Sequence, residues 1–168
     1  MRMSVSLLFW LTFLSSVAWF FSTLLEDANN PNKVVLIQEA KDQSSEVVLK
    51  RNRQGHYVAT GEINGQEVVF LLDTGATHIS IPMSVAKRLK LRKGFDSEVS
   101  TANGTITVHS TKISSIKLGN IQSKRVVAHV NPHMKGEEVL LGMTFLKLLE
   151  ITQLGDELTL RIPSSSEQ

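Results

Sequence analysis

Asp73, Thr74 and Gly75 close the apolar run Phe70-Leu71-Leu72 in the stretch FLLDTGAT. A carboxylate at the inner end of a buried strand is costly to desolvate, so it must be paired, hydrogen-bonded or put to chemical use. Gly75 lets the chain turn tightly and offers backbone N–H groups to the carboxylate. Thr74 adds a hydroxyl able to hydrogen-bond across a symmetric interface. The chemistry open to such a group is proton transfer to and from a bound water. The structural alternative is a carboxylate that closes a buried Asx-type turn. The tripeptide alone does not choose, since chance yields one in a chain of this length about a few times in a hundred.

Other site types are excluded more easily. The sequence contains no G-x-S-x-G, no P-loop, no G-x-G-x-x-G and no H-E-x-x-H. With no cysteine there is no thiol nucleophile, disulfide framework or Cys-based zinc site. His56, His78, His109, His129 and His133 show no ligand spacing on one element, and Pro132 argues against a helix face shared by His129 and His133. No metal and no cofactor are therefore expected. The net charge is only +2, and the basic cluster Lys87, Arg88, Lys90, Arg92, Lys93 reads as a solvated helix face and loop. No nucleic-acid partner is expected.

The elements that must position Asp73 are mostly strands. EVVLKRN, HYVATGEING and QEVVFLLD read as strands, with Asn64-Gly65 a hairpin turn and the last strand buried on both faces. After Asp73 come ISIP and a short helix over SVAKRLKL, with Ser84 as its cap and Val85, Ala86 and Leu89 on its apolar side. SEVSTANGTITVHS reads as a second hairpin with Asn103-Gly104 at its tip, and further strands flank the turn Gly119-Asn120. EEVLLGMTFLKLLEI begins as a strand, turns at Gly142 and continues as a helix; ELTLRI is a final strand. Many short strands with few helices predict an all-β barrel or sandwich over residues 46–163.

Val5 to Leu25 is an uncharged apolar run long enough to span a bilayer. Arg2 before it and Glu26-Asp27 after it favour an N-in signal anchor that places the remainder across the membrane. The rival is a cleavable signal peptide cut near Ser16-Val17-Ala18, but the run continues through Trp19, Phe20 and Phe21, which suits an interfacial anchor better. Residues 1–25 are thus the anchor, 26–45 a juxtamembrane linker broken at Asn30-Pro31-Asn32, and 164–168 a tail. The patch Val34 to Ile37 is a short strand or a docking contact.

FLLDTGATHISIP, followed far downstream by VLLGMTFL, resembles the retropepsin-like aspartic proteases, most of all a bacterial, membrane-anchored branch with a single-lobe catalytic domain. Leu71 to Ala76 match the family's first motif, and Leu140, Leu141 and Gly142 match the apolar-apolar-Gly of its second. The resemblance implies a single-lobe acid-protease barrel with one or two short helices. It implies Asp73, Thr74 and Gly75 as catalytic residues. It further implies that Ala76, Thr77 and His78, together with Ala102, Asn103 and Gly104 of a β-hairpin flap, contact substrate, while a surface or loop-packing role for His78 stays open.

That chemistry needs two carboxylates, and this chain has one motif aspartate. The resemblance therefore implies a homodimer in which two Asp73 side chains meet, acting on a polypeptide, with ELTLRI the candidate for an intersubunit sheet. In a bacterial host the domain faces the periplasm from the inner membrane. Two non-proteolytic readings stay open: a module of this fold that binds peptide termini, and a membrane-tethered assembly protein.

Overall fold

The hydrophobic alternation of the central chain is realised as eleven strands in two sheets, described here from a computed structural model covering residues 5–39, 45–101 and 104–163. In chain order the elements are α1 (Val5–Asn29), β1 (Leu36–Glu39), β2 (Ser45–Lys50), β3 (Tyr57–Ile63), β4 (Gln66–Leu72), β5 (Ser80–Pro82) and α2 (Met83–Arg88). They continue with β6 (Asp96–Thr101), β7 (Gly104–Leu118), β8 (Ile121–Asn131), β9 (Glu138–Leu141), α3 (Met143–Leu146), β10 (Glu150–Leu154) and β11 (Glu157–Arg161). The expected residues Ala102 and Asn103, and the tail 164–168, lie outside the described residues, as do residues 40–44 of the linker.

The larger sheet runs β3-β4-β9-β5-β8-β7-β6, and β3 also pairs with β7 at Glu62↔Lys117 and Ile63↔Ile116, so the sheet returns on itself as a barrel. Asn64 and Gly65 both take positive φ, 53° and 74°, the geometry a two-residue hairpin demands. Asn64 also accepts from the N–H groups of Ser114 and Ser115 through its Oδ1, which ties this turn to β7. Inside the barrel, Phe70, Ile79, Ile81, Val139, Leu141 and Phe145 are essentially inaccessible. At Gly61 the backbone carbonyl of Lys117 and the Phe70 ring would lie 2.4 and 2.6 Å from any Cβ, so only glycine fits.

The smaller sheet runs β1-β2-β11-β10. ELTLRI is therefore an interior strand, paired on one side with β2 and on the other with β10. Its backbone groups are already used, which corrects the expectation that it joins a second copy; among the described residues the open edges are β1 and β10. Three other expectations are corrected. QEVVFLLD is buried on one face only, because Val68 and Phe70 point inward while Val69 and Leu71 stay half-exposed. Ser84 lies inside α2, where its hydroxyl donates to the Gly136 carbonyl, and Pro82 occupies the cap position. The helix after Gly142 is a single turn, Met143–Leu146, because the chain re-enters a strand at Glu150.

Helix α1 buries none of its apolar window within the molecule, and Ser6–Asn29 is long and apolar enough to cross a membrane. At 1.5 Å per residue it spans about 36 Å, against a hydrocarbon core of about 30 Å. A membrane anchor and a signal sequence both have this length and composition. The helix stops just before Asn30-Pro31-Asn32, which is built into the barrel wall. Asn32 Nδ2 donates to the carbonyls of Lys50 and Val58 (2.9 and 2.7 Å), and its Oδ1 accepts from Lys50 N–H (2.7 Å). The following strand β1 pairs with β2.

Candidate active site

Strands β4 and β9 lie side by side in parallel, from Val69↔Glu138 to Leu72↔Leu141. Parallel strands end at the same edge of a sheet, so the residues that follow them, Asp73 and Gly142, are brought together. Asp73 N–H reaches the Leu141 carbonyl at 3.3 Å, joining the two sequence motifs at one point.

The Asp73 carboxylate accepts a hydrogen bond from Gly75 N–H at 2.8 Å, and Ala76 N–H donates to the Asp73 carbonyl at 3.3 Å. Gly75 is not in the left-handed region. A Cβ here would sit 3.2 Å from Asp73 Oδ1, close enough that the carboxylate would have to yield by a few tenths of an ångström. The carboxylate is half-buried rather than enclosed, and Thr74 and Gly75 beside it are exposed. The burial expected of a carboxylate that ends a buried strand is thus only partly realised in the single chain.

The rest of the loop is clamped from below by α3. Met143 N–H donates to the Ala76 carbonyl (2.8 Å), while the N–H and hydroxyl of Thr144 both donate to the Thr77 carbonyl (2.9 and 3.0 Å). Gly142 lies so close under this loop that a Cβ would meet the carbonyl oxygens of His78 and Ala76 at 2.5 and 2.6 Å. Both contacts are backbone, which cannot rotate away. Gly142→Ala should therefore cost about 1–3 kcal/mol of stability and push the Asp73 loop outward. Equal unfolding midpoints for the variant and the parent in urea would contradict this packing.

His78 and His129 meet with ring centroids 4.6 Å apart. Sequence spacing could not reveal this pair, because it arises from the parallel pairing of β5 with β8, where Ser80 stands opposite His129. Partial burial, and secondarily the charge of His78, push His129 below the ordinary histidine value of 6.5. The unfolded chain then takes up a proton that the folded chain refuses. Stability is complete above pH 6.5 and falls as pH drops through the lowered folded value. His129→Gln should flatten that portion of the stability curve, as read by urea denaturation across a pH series. An unchanged slope would assign the acid sensitivity elsewhere.

The flap-like hairpin is paired as far as Thr101↔Gly104, with Thr101 Oγ1 donating to the Gly104 carbonyl at 2.8 Å. Of the expected tip Asn103-Gly104, Gly104 takes part in this last pairing, and Asn103 lies outside the described residues. At the hairpin's base Asp96 opens β6 and meets His109 Nδ1 at 2.6 Å. Asp73, Ala76, Thr77 and His78 are thus brought together with Gly142 to Thr144; no hydrogen bond among the described residues ties Gly104 to that cluster. The other described aspartates are engaged elsewhere, Asp27 with Lys33, Asp96 with His109 and Asp156 with Arg51.

Residues 59–148 match the model of the gag-polyprotein putative aspartyl protease family. An uncharacterized protein of the cobV 5′ region in Sinorhizobium sp is 33% identical over 135 residues, 78% of this chain; the match spans 58% of that relative's length. Among solved structures, a retropepsin-like aspartic protease from Rickettsia conorii superposes with a TM-score of 0.56 at 24% identity, covering 76% of this chain and 92% of that one. The likeness to the protease of EIAV is looser, with a TM-score of 0.48 at 22% identity over 59% of this chain and 92% of that one.

Proposed function

Given that the chain belongs to the gag-polyprotein putative aspartyl protease family, with a retropepsin-like fold, we propose that it is an aspartic endopeptidase active as a homodimer, with one Asp73 from each copy. The observation that carries this reading is the half-finished site. Asp73 is oriented by Gly75 N–H on one side and open on the other, with the hydroxyl-bearing Thr74 exposed beside it. A second copy placed across a twofold axis supplies the missing carboxylate.

Two carboxylates in contact cannot both ionise, so the pair holds one proton, a consequence for which aspartic proteases are the standing example. The ionised member takes a proton from a bound water, which attacks the scissile carbonyl carbon. The protonated member donates to the carbonyl oxygen as it becomes an oxyanion. Collapse of the tetrahedral intermediate then returns a proton to the leaving amine. Thr74 and Gly75 hold the two loops in register. Ala76, Thr77 and His78 contact the extended peptide from below, and Ala102, Asn103 and Gly104 close over it.

Residues 5–25 anchor this protease to the membrane, with residues 46–163 as the catalytic domain, on the periplasmic side of the inner membrane in a bacterium. The test is cleavage of an unstructured polypeptide by the full-length protein in detergent, across about pH 3 to 8. Fragments that increase with time support an endopeptidase. Tight peptide binding without cleavage by a demonstrated dimer would favour a non-proteolytic binding module instead.

A further inference from the structure

A cleft of ≈ 940 Å³ opens between the last turn of α1 and the barrel, lined on one side by Leu25, Glu26 and Asn29 and on the other by Val69 of β4 and Glu138 of β9. Its walls are fixed to each other. Asn29 Nδ2 donates to Glu138 Oε1 (2.8 Å), Asn52 Nδ2 to the Asn29 carbonyl (3.0 Å), and Asn30 Nδ2 to Thr60 Oγ1 (2.9 Å). The end of the apolar helix is thus held at a set distance from the site.

Strand alternation connects the cleft to Asp73. Val69 and Leu71 fall on one face of β4, Asp73 follows them in the same alternation just past its end, and the partners Glu138 and Leu140 share that face on β9. All five are half-buried, whereas the inward-facing Phe70, Val139 and Leu141 are wholly buried. A partly apolar track therefore leads from the cleft to the carboxylate, about 13 Å over four residues. An extended peptide covers that distance in about four residues of its own.

We propose that the substrate is a second membrane-tethered polypeptide whose juxtamembrane segment occupies this cleft. Its scissile bond then lies about four to eight residues beyond its membrane span. Leu25 is the last residue of the apolar run, so the cleft opens at the membrane boundary, where such a segment emerges. The lining favours a peptide over a lipid tail: hydrocarbon would desolvate the charged ends of Lys33, Glu67, Lys135 and Glu137, whereas a peptide backbone brings donors and acceptors. This inference rests on the anchored-protease reading and adds the substrate class to it.

The full-length protein would be placed in phospholipid vesicles with a single-span model substrate carrying the same cleavable sequence at about 5, 15 and 30 residues from its span. A soluble peptide of that sequence serves as control. The membrane-proximal copy should be cut at least about tenfold faster than the distal copy of the same chain. A photocrosslinking amino acid in place of Lys135, which lines the cleft, should capture the substrate's juxtamembrane segment. Equal cutting of all copies, or crosslinks only to lipid or to a second protease chain, would overturn the inference while peptide cleavage upheld the protease. Failure to cut either substrate would overturn both.

Discussion

Asp73→Asn should abolish peptide hydrolysis while leaving the barrel folded. Asparagine has the shape of aspartate but can neither take a proton from water nor give one to a carbonyl oxygen. In the proposed dimer a single substitution per chain removes both members of the pair, so a loss of about 10³-fold or more is expected. The fold should survive because, among the described residues, the one hydrogen bond to the carboxylate comes from Gly75 N–H at 2.8 Å, and an amide oxygen accepts it equally well. Asp73→Ala should be equally inactive. Circular dichroism and urea unfolding separate lost chemistry from lost structure. The parent enzyme should show a bell-shaped rate profile on the acid side of neutrality, since activity needs one carboxylate charged and one protonated. Activity near the parent level in a folded Asp73→Asn protein would remove this residue from the mechanism.

The second large effect concerns assembly. If each site takes one carboxylate from each of two chains, a monomer has no activity. Well below its dissociation constant, specific activity in detergent should fall about tenfold for each tenfold dilution. At concentrations well above that constant, adding a ninefold excess of Asp73→Asn chains at fixed wild-type concentration should leave about one wild-type chain in ten with a wild-type mate, and activity should fall accordingly. In vesicles the same bulk dilution should matter far less, because anchored copies keep their surface density. Initial rates beside sedimentation check all three arms. A protein that sediments as a monomer yet keeps constant specific activity would show that Asp73 works without a partner.

The features legible in the sequence were those written in neighbouring residues. Asn64-Gly65 is a hairpin because two adjacent residues must take positive φ, and α1 is a long apolar helix because its whole length is one uncharged run. The motifs Leu71-Leu72-Asp73-Thr74-Gly75 and Leu140-Leu141-Gly142 carry strand, turn and close packing in single short stretches. Both lie within residues 59–148, the stretch that matches the family. Alternation, however, says that a side chain faces in or out, never which strand lies beside it. Only the tertiary structure could place β11 between β2 and β10 and so deny it to a partner, or bring His78 against His129 through β5 and β8. The polar residue Asn32 reads in sequence as a linker breaker. It becomes a buried brace only because Lys50 and Val58 present backbone groups on both sides of it. The half-open state of Asp73 belongs to the same class, since its burial is decided by what covers the loop and not by the apolar residues that precede it.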